Sequence, residues 1–210
     1  MKPKLTWLAA AAWLLLPAAL CAQTDNLLAR VWDGVQQAQA HTATACGTVV
    51  ETRTSPLMAR PIVFKGKFCA EGAVRFWLEY LPPHAMTVRF NTDYLNATGS
   101  DGQTEILEIG GGVRRAQAAF SREASLAGIE KDFTVAVAEN DREYEMKFVP
   151  RSEAFRKRLN LLVVKLDKRT FLPRSIEVDG KSGVNSVFAI DITSTNEKLP
   201  AAIFEVKKSR

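Results

Sequence analysis

The chain contains few of the residues from which catalytic and metal sites are usually built. Its 210 residues include only two histidines, His41 and His84, and three cysteines. No G-x-S-x-G, H-E-x-x-H, P-loop or G-x-G-x-x-G motif occurs. Two histidines supply neither a zinc centre nor a set of acid, base and nucleophile. The sequence therefore predicts a protein that is not an enzyme and that uses no metal or cofactor.

Long apolar runs are also missing, except for one near the N-terminus. The run Leu5–Leu16 is shorter than the roughly 20 residues that a membrane-spanning helix needs. It follows two lysines and precedes a segment of small residues, an order that is typical of a secretory signal peptide. We expect cleavage near residue 21, export to the periplasm, and a single domain at 22–210.

Cys21 leaves a second interpretation open, in which an acylated Cys21 anchors the protein to a membrane. Leu20 stands where a lipoprotein signal requires a small residue, which disfavours this interpretation. The net charge is too mild to argue for a nucleic-acid partner. It is +5, or about +3 without the two signal lysines, and basic residues are dispersed among acidic ones. We therefore expect no nucleic-acid partner.

The remaining two cysteines lie on neighbouring strand-like segments. Cys46 belongs to TACGTVVETR and Cys69 to PIVFKGKFCA, and a turn-rich segment joins the two. If these segments form a hairpin centred near Leu57, the two cysteines lie opposite each other. An even pair in an exported protein is typical of a disulfide, and this geometry suits one.

Helical periodicity occurs in two places. Residues 24–41 carry apolar side chains at spacings of three and four, with Thr24 as the expected N-cap. Residues 116–129 have a second amphipathic pattern, with Phe120 and Leu126 on its apolar side. We expect the first helix to pack across a sheet and the second to act as a lid.

Most of the remaining sequence alternates between apolar and polar residues, as strands with one buried face do. About eleven strands are expected, and the fold class is mainly β: a curled antiparallel sheet that forms a half-open barrel around an apolar concave side. The expected strands are 44–53, 61–70, 73–80, 85–91, FTVAVA, REYEMKF and a closing set that ends with Phe204 and Val206.

This apolar face has two interpretations, since it either forms a packed core or lines a cavity for an apolar ligand. A curled sheet of this size encloses more volume than two short helices fill well, which favours the cavity. The candidate lipid-binding residues are Phe64, Phe68, Val74, Phe76, Leu78, Met86, Val88, Phe120, Leu126, Phe148, Leu162, Val164, Ile176, Val178, Phe188, Ile190 and Phe204.

Several short motifs occur in an order that resembles the LolA-type periplasmic lipoprotein carriers. They are the G-x-F strand Gly66-Lys67-Phe68, Arg75-Phe76 followed by Pro82, Phe148-Val149-Pro150, Ile176-Glu177-Val178-Asp179-Gly180, and Asn196 followed by Phe204. The resemblance covers nearly the whole of 22–210. It implies an eleven-stranded half-open barrel with helices closing its mouth over a cavity for acyl chains.

The resemblance also implies partners. A carrier of this type would take lipidated cargo from an inner-membrane ABC-type release complex, pass it to an outer-membrane receptor, and act as a monomer. One feature is not carried over: the family's basic latch residue after the G-x-F strand is absent from Cys69-Ala70-Glu71-Gly72. A glycolipid or another lipid is therefore an alternative cargo. A non-carrier envelope protein on the same scaffold, either a lipid sensor or a partner-binding protein, is the alternative function.

Overall fold

The computed structural model describes residues 16–72, 74–91, 94–108, 121 and 123–206. Eleven strands form one antiparallel sheet in the order β6-β5-β4-β3-β2-β1-β11-β10-β9-β8-β7, so that β6 and β7 are edges that do not pair with each other. The predicted open, eleven-stranded sheet is confirmed. The strands are β1 (Thr44–Thr54), β2 (Ile62–Glu71), β3 (Arg75–Tyr80), β4 (Met86–Phe90), β5 (Tyr94–Gly99), β6 (Thr104–Glu108), β7 (Phe133–Glu139), β8 (Glu143–Pro150), β9 (Leu159–Asp167), β10 (Pro173–Gly180) and β11 (Asn185–Thr195).

The N-terminal helix α1 (Leu16–His41) is longer than the predicted 24–41. Residues 16–23 are mostly leucine and alanine, which are strong helix formers, and Pro17 is tolerated because it lies in the first turn. The expectation that Thr24 caps the helix was therefore wrong. No described helix is long and apolar enough to cross a membrane.

The predicted lid helix at 116–129 is corrected. Residues 109–120 and 122, which include Phe120, lie outside the described residues. The helix α2 (Leu126–Ile129) begins only after Ser125, whose backbone is extended and whose hydroxyl accepts a hydrogen bond from the Gly128 amide at 3.1 Å. An N-cap serine marks the start of a helix, so α2 does not extend N-terminal to Ser125. A second short helix, α3 (Glu153–Arg156), joins β8 to β9.

The last strand expected from the sequence, at Phe204 and Val206, is also wrong. A 3₁₀ turn, η1 (Ala201–Phe204), occupies this segment. Asn196 has a φ of 62°, which turns the chain away from the sheet directly after β11. Its side chain accepts from the Ala43 amide at 2.7 Å and donates to the His41 carbonyl at 2.9 Å. Asn196 therefore ties the end of α1 to the end of β11.

Val50, Val63 and Val163 lie on the outer face, but most large apolar side chains of β1–β4 and β7–β11 share the other side of the sheet, here called the inner face. They divide into two groups. The helix-covered cluster consists of Leu28, Val31 and Trp32 of α1 with Ile129, Phe133, Tyr144, Met146, Phe148 and Leu166. The cavity cluster consists of Val49, Phe68, Leu78 and Tyr80, packed by Phe64, Phe76, Met86, Val88, Phe188, Ile190 and Ile192.

A turn between β9 and β10 locks α1 onto the helix-covered half. Phe171 in this turn has a φ of 54°, and its ring stacks on Tyr144 with centroids 5.5 Å apart. The ring lies so close to α1 that a Cβ at Gly34 would be 2.4 Å from it. Glycine at position 34 therefore makes room for Phe171, and this contact fixes α1 over β7–β9.

Asp167 holds this turn in shape. Its carboxylate accepts hydrogen bonds from the backbone amides of Arg169 and Thr170 at 2.9 and 3.0 Å, and from the Arg174 guanidinium at 2.6 Å. Burial alone raises the pKa of Asp167, but these hydrogen bonds outweigh burial and leave the pKa below the ordinary 3.8.

The disulfide Cys46–Cys69 is confirmed. The two residues are direct register partners on β1 and β2, with Cα atoms 4.2 Å apart. Cys46 and Cys69 point to the outer face, opposite to Val49 and Phe68. The disulfide therefore crosslinks β1 and β2 on the outer face and does not enter the inner face.

The disulfide should stabilise the protein mainly by restricting the unfolded chain. For a sequence separation of 23 residues, the loss of the crosslink should lower the free energy of unfolding by about 3 kcal/mol. Urea denaturation of the double variant Cys46→Ala/Cys69→Ala measures this loss. Reductant should destabilise the wild-type protein and leave the double variant unchanged, and equal sensitivity of both would contradict the account.

Asp167 should make the free energy of unfolding depend on pH in the acid range. A carboxyl whose folded-state pKa is lowered stabilises the fold above its unfolded-state pKa, and this contribution is lost as pH falls through the folded-state pKa. The free energy of unfolding of wild type should therefore fall below about pH 4 more steeply than that of Asp167→Asn. Exposed Asp141→Asn is the matched control and should follow wild type. Identical acid profiles for all three proteins would contradict the role of Asp167.

Candidate ligand cavity

A cavity of about 400 Å³ lies on the inner face, on the half of the sheet that α1 does not cover. This volume falls within the range typical of small-molecule sites, toward its lower end. Nine of the twelve lining residues are apolar, and Glu51, Arg53 and Tyr80 are the polar ones. The apolar lining consists of Val49, Phe68, Phe76, Leu78, Met86, Val88, Ile176, Phe188 and Ile190.

Strand register brings these side chains together. Val49 pairs with Ile190 across β1 and β11, and Phe68 pairs with Leu78 across β2 and β3. Because side chains that are direct cross-strand partners lie on the same face, alternation along each strand becomes a continuous apolar wall. Ile176 pairs with both Phe188 and Val164, so it marks the boundary between the cavity and the helix-covered cluster.

The glycine of the G-x-F strand has a steric role here. A Cβ on Gly66 would lie 2.6 Å from the Glu79 carbonyl oxygen and 3.2 Å from the Tyr80 ring. A side chain at position 66 would therefore collide with the backbone of β3 and crowd the ring of its register partner Tyr80, which reaches toward β1. The tyrosine hydroxyl thereby meets the Glu51 carboxylate on the far side of β2.

Glu51 is the centre of a buried polar cluster at one end of the cavity. Its exposed fraction is 1%, and it lies on the inner face of β1. One carboxylate oxygen accepts from Arg53 Nε at 2.9 Å, from Arg53 Nη2 at 2.8 Å and from Ser186 Oγ at 2.8 Å. The other oxygen accepts from Tyr80. A buried carboxylate is tolerable only when its charge and its lone pairs are matched in this way.

Tyr80 remains a donor in this cluster. Burial is the main cause that raises the pKa of its phenol, and the hydrogen bond to the Glu51 carboxylate raises it further. The phenol therefore stays protonated over the whole physiological pH range.

Arg53 differs from its partners because it is one-third exposed. Its guanidinium lies over the Phe64 ring, 4.7 Å from the ring centroid, and Phe64 also contacts Tyr80 with centroids 5.2 Å apart. Stacking on an aromatic face holds an arginine plane in one orientation while leaving its edge accessible. Arg53 thus forms the boundary between the apolar cavity and solvent.

The structure brings eight of the predicted candidates together in the cavity lining. Phe64 packs beside them, as part of the cavity cluster. The eight are Phe68, Phe76, Leu78, Met86, Val88, Ile176, Phe188 and Ile190.

Other candidates lie elsewhere. Leu126, Phe148, Leu162 and Val164 pack in the helix-covered cluster, because α1 fills the space above β8 and β9. Val178 is half-buried on β10, outside the cavity lining.

Val74 and Phe204 were also misplaced by the sequence pattern. Val74 precedes β3 and is 39% exposed. Phe204 is buried in the 3₁₀ turn η1, whose Ile203 carbonyl accepts from Arg89 at 3.1 Å. Arg89 alternates with Val88 and Phe90 and points to the outer face, so η1 lies behind the cavity wall.

The residues that sequence reasoning missed are Val49, Glu51, Arg53 and Tyr80. Val49, Glu51 and Arg53 alternate along one face of TVVETR, which is the available signal. This alternation was not interpreted as an inner face, because glutamate and arginine normally indicate the solvent side of a strand.

A larger hollow of about 980 Å³ occurs on another part of the sheet, around the turn after β9. Charged residues of both signs line it, including Lys165, Asp167 and Arg174. These charges are already engaged with one another and with Glu143. Its wall is therefore unsuited to an apolar ligand, and the 400 Å³ cavity is the candidate site.

Solved structures resemble this chain in fold. An uncharacterized conserved protein from Thermus thermophilus matches 86% of this chain and 94% of its own, with 12% identity and a TM-score of 0.50. A LolA superfamily protein from Nitrosomonas europaea matches 84% of this chain and 96% of its own, with 11% identity and a TM-score of 0.44. The MucA/MucB complex of Pseudomonas aeruginosa matches 86% of this chain and 63% of its own, with 11% identity and a TM-score of 0.48.

No family model matches the chain, and no curated protein matches it. At such low identity, the likeness to the Thermus protein establishes a shared fold and no shared ligand. The open antiparallel sheet with an N-terminal helix is the architecture that the LolA-type resemblance implied.

Tyr80 should matter for stability because of its single hydroxyl. Tyr80→Phe leaves a buried carboxylate oxygen without its donor, which should lower the free energy of unfolding by about 1–3 kcal/mol. Tyr144→Phe is the control: Tyr144 is also buried, but the structure gives its hydroxyl no hydrogen bond to a described residue. Urea denaturation should separate the two variants, and equal stabilities would contradict the importance of the Tyr80–Glu51 bond.

Proposed function

We propose that this protein is a periplasmic carrier that shields the acyl chains of a lipoprotein or another lipid during transfer from the inner to the outer membrane. The observation that carries the proposal is the apolar cavity on the uncovered half of the inner face. The order of motifs that resembles the LolA-type carriers supports it independently.

Acyl chains suit this cavity energetically. An empty apolar cavity lacks the dispersion contacts of a packed interior, whereas each methylene buried in it contributes about 0.8 kcal/mol. The wall includes the long side chain of Met86 and the rings of Phe76 and Phe188, which can adjust to a flexible chain. Binding therefore requires no covalent step, and release follows from a higher affinity of the acceptor.

We also propose a compartment and partners for this protein. The chain is exported, cleaved near residue 21 and active as a monomer with one domain at 22–210. It receives cargo from an inner-membrane ABC-type complex and delivers it to an outer-membrane receptor. The Cys46–Cys69 disulfide supports an oxidising compartment.

A charge placed in the wall should abolish cargo binding. Phe188→Glu puts an unpaired carboxylate against the apolar lining, which should weaken binding of a fluorescent acyl probe by at least about tenfold. The neighbouring Ala189 is exposed and points to the opposite face of β11. Ala189→Glu is therefore a control with the same charge on the same strand, and it should bind like wild type.

Fluorescence titration measures both variants, and circular dichroism checks that both are folded. A wild-type protein that excludes the probe, or a folded Phe188→Glu protein that binds it normally, would contradict the carrier function. The first result is what a partner-binding envelope protein with a packed interior would give.

A further inference from the structure

We propose that Arg53 is a head-group-binding residue, and that the cavity takes a single-chain lipid ending in an anionic oxygen group such as a carboxylate. The inference rests on the carrier function proposed above and specifies its ligand. Its starting point is that the three polar lining residues are clustered at one end of an otherwise apolar cavity. A site of this shape matches an amphiphile, which has one apolar and one polar end.

A count of hydrogen bonds shows which polar groups are available to a ligand. Glu51 already accepts four hydrogen bonds, two of them from Arg53. Tyr80 donates its only proton to Glu51, and so does Ser186. A guanidinium has five N–H donors, of which Arg53 uses two on Glu51. No described residue accepts from the other three.

The three unused N–H groups of Arg53 are therefore donors on a cation, and they favour a ligand head group that accepts hydrogen bonds. An amine head group would place a second cation beside the guanidinium, and an alcohol oxygen would accept only the weaker hydrogen bond of an uncharged group. A carboxylate presents two oxygens in the planar arrangement that a guanidinium edge binds in parallel. The charge-assisted bond also distinguishes a carboxylate from a neutral ester, whose carbonyl accepts more weakly.

Glu51 and Phe64 position Arg53 for this contact. The two bonds to the Glu51 oxygen fix one edge of the guanidinium, and the Phe64 ring supports its face at 4.7 Å. Arg53 thus presents its remaining edge in a defined direction without further ordering. The volume of about 400 Å³ favours one acyl chain over several.

The test compares two ligands that share one chain. Palmitate and methyl palmitate are titrated into the full chain by displacement of a neutral polarity-sensitive dye. Wild type should bind palmitate at least about tenfold more tightly, as a charge-assisted hydrogen bond provides. Arg53→Met should reduce this preference to within about twofold, chiefly by weakening the binding of palmitate. Arg53→Lys should retain part of the preference, and exposed Arg60→Met should retain all of it.

Arg53→Met leaves Glu51 buried without its cation, so Glu51→Gln/Arg53→Met is measured as well. This variant removes both charges, and it too should bind the two ligands equally. Wild type that binds methyl palmitate as tightly as palmitate would overturn the head-group assignment and leave the carrier function standing. A preference that survives in folded Arg53→Met or in the double variant would also overturn it. Binding of neither ligand by wild type would overturn the carrier function and this inference together.

Discussion

The constraint on which this structure depends is the period-two alternation of an antiparallel sheet. Alternation places most large apolar side chains of β1–β4 and β7–β11 on the inner face, and eleven strands give that face more area than a single helix can cover. Helix α1, locked by Phe171 against Gly34, covers only the half formed by β7–β9. The cavity on the other half follows from this imbalance, and the proposed apolar ligand would complete the packing there.

The polar cluster around Glu51 gives this apolar space an orientation. A carboxylate that is 1% exposed would cost several kcal/mol if it were unpaired. Four hydrogen bonds from Arg53, Tyr80 and Ser186 compensate for that cost. Gly66 makes the arrangement sterically feasible because a Cβ there would lie 2.6 Å from the Glu79 carbonyl oxygen of β3 and would also crowd the Tyr80 ring. The motif glycine, the buried glutamate and the exposed edge of Arg53 therefore belong to one unit, which separates the apolar cavity from water.

Much of the sheet was predictable from the sequence, because alternation and turn residues are local signals. The pairing of Cys46 with Cys69 followed from the centre of the β1–β2 hairpin, and eight of the cavity residues followed from strand faces. The division of the inner face was not predictable, since Phe148 and Phe188 have the same pattern and only the position of α1 makes one core and the other cavity wall. The position of Phe204 also depends on long-range packing, because the turn at Asn196 directs the following segment to the outer face. Glu51 and Arg53 were overlooked because charge normally indicates exposure.

The central claim is that an acyl chain occupies the uncovered half of the inner face and leaves the helix-covered half packed as before. Methyl NMR spectra of the full chain, recorded with palmitate carrying a nitroxide at mid-chain, test it directly. The claim predicts the strongest broadening for the methyl signals of Leu78, Val88 and Ile190, and clearly weaker broadening for those of Leu28, Val31 and Leu166. Equal broadening in both clusters, or none in the cavity cluster at saturating palmitate, would contradict it.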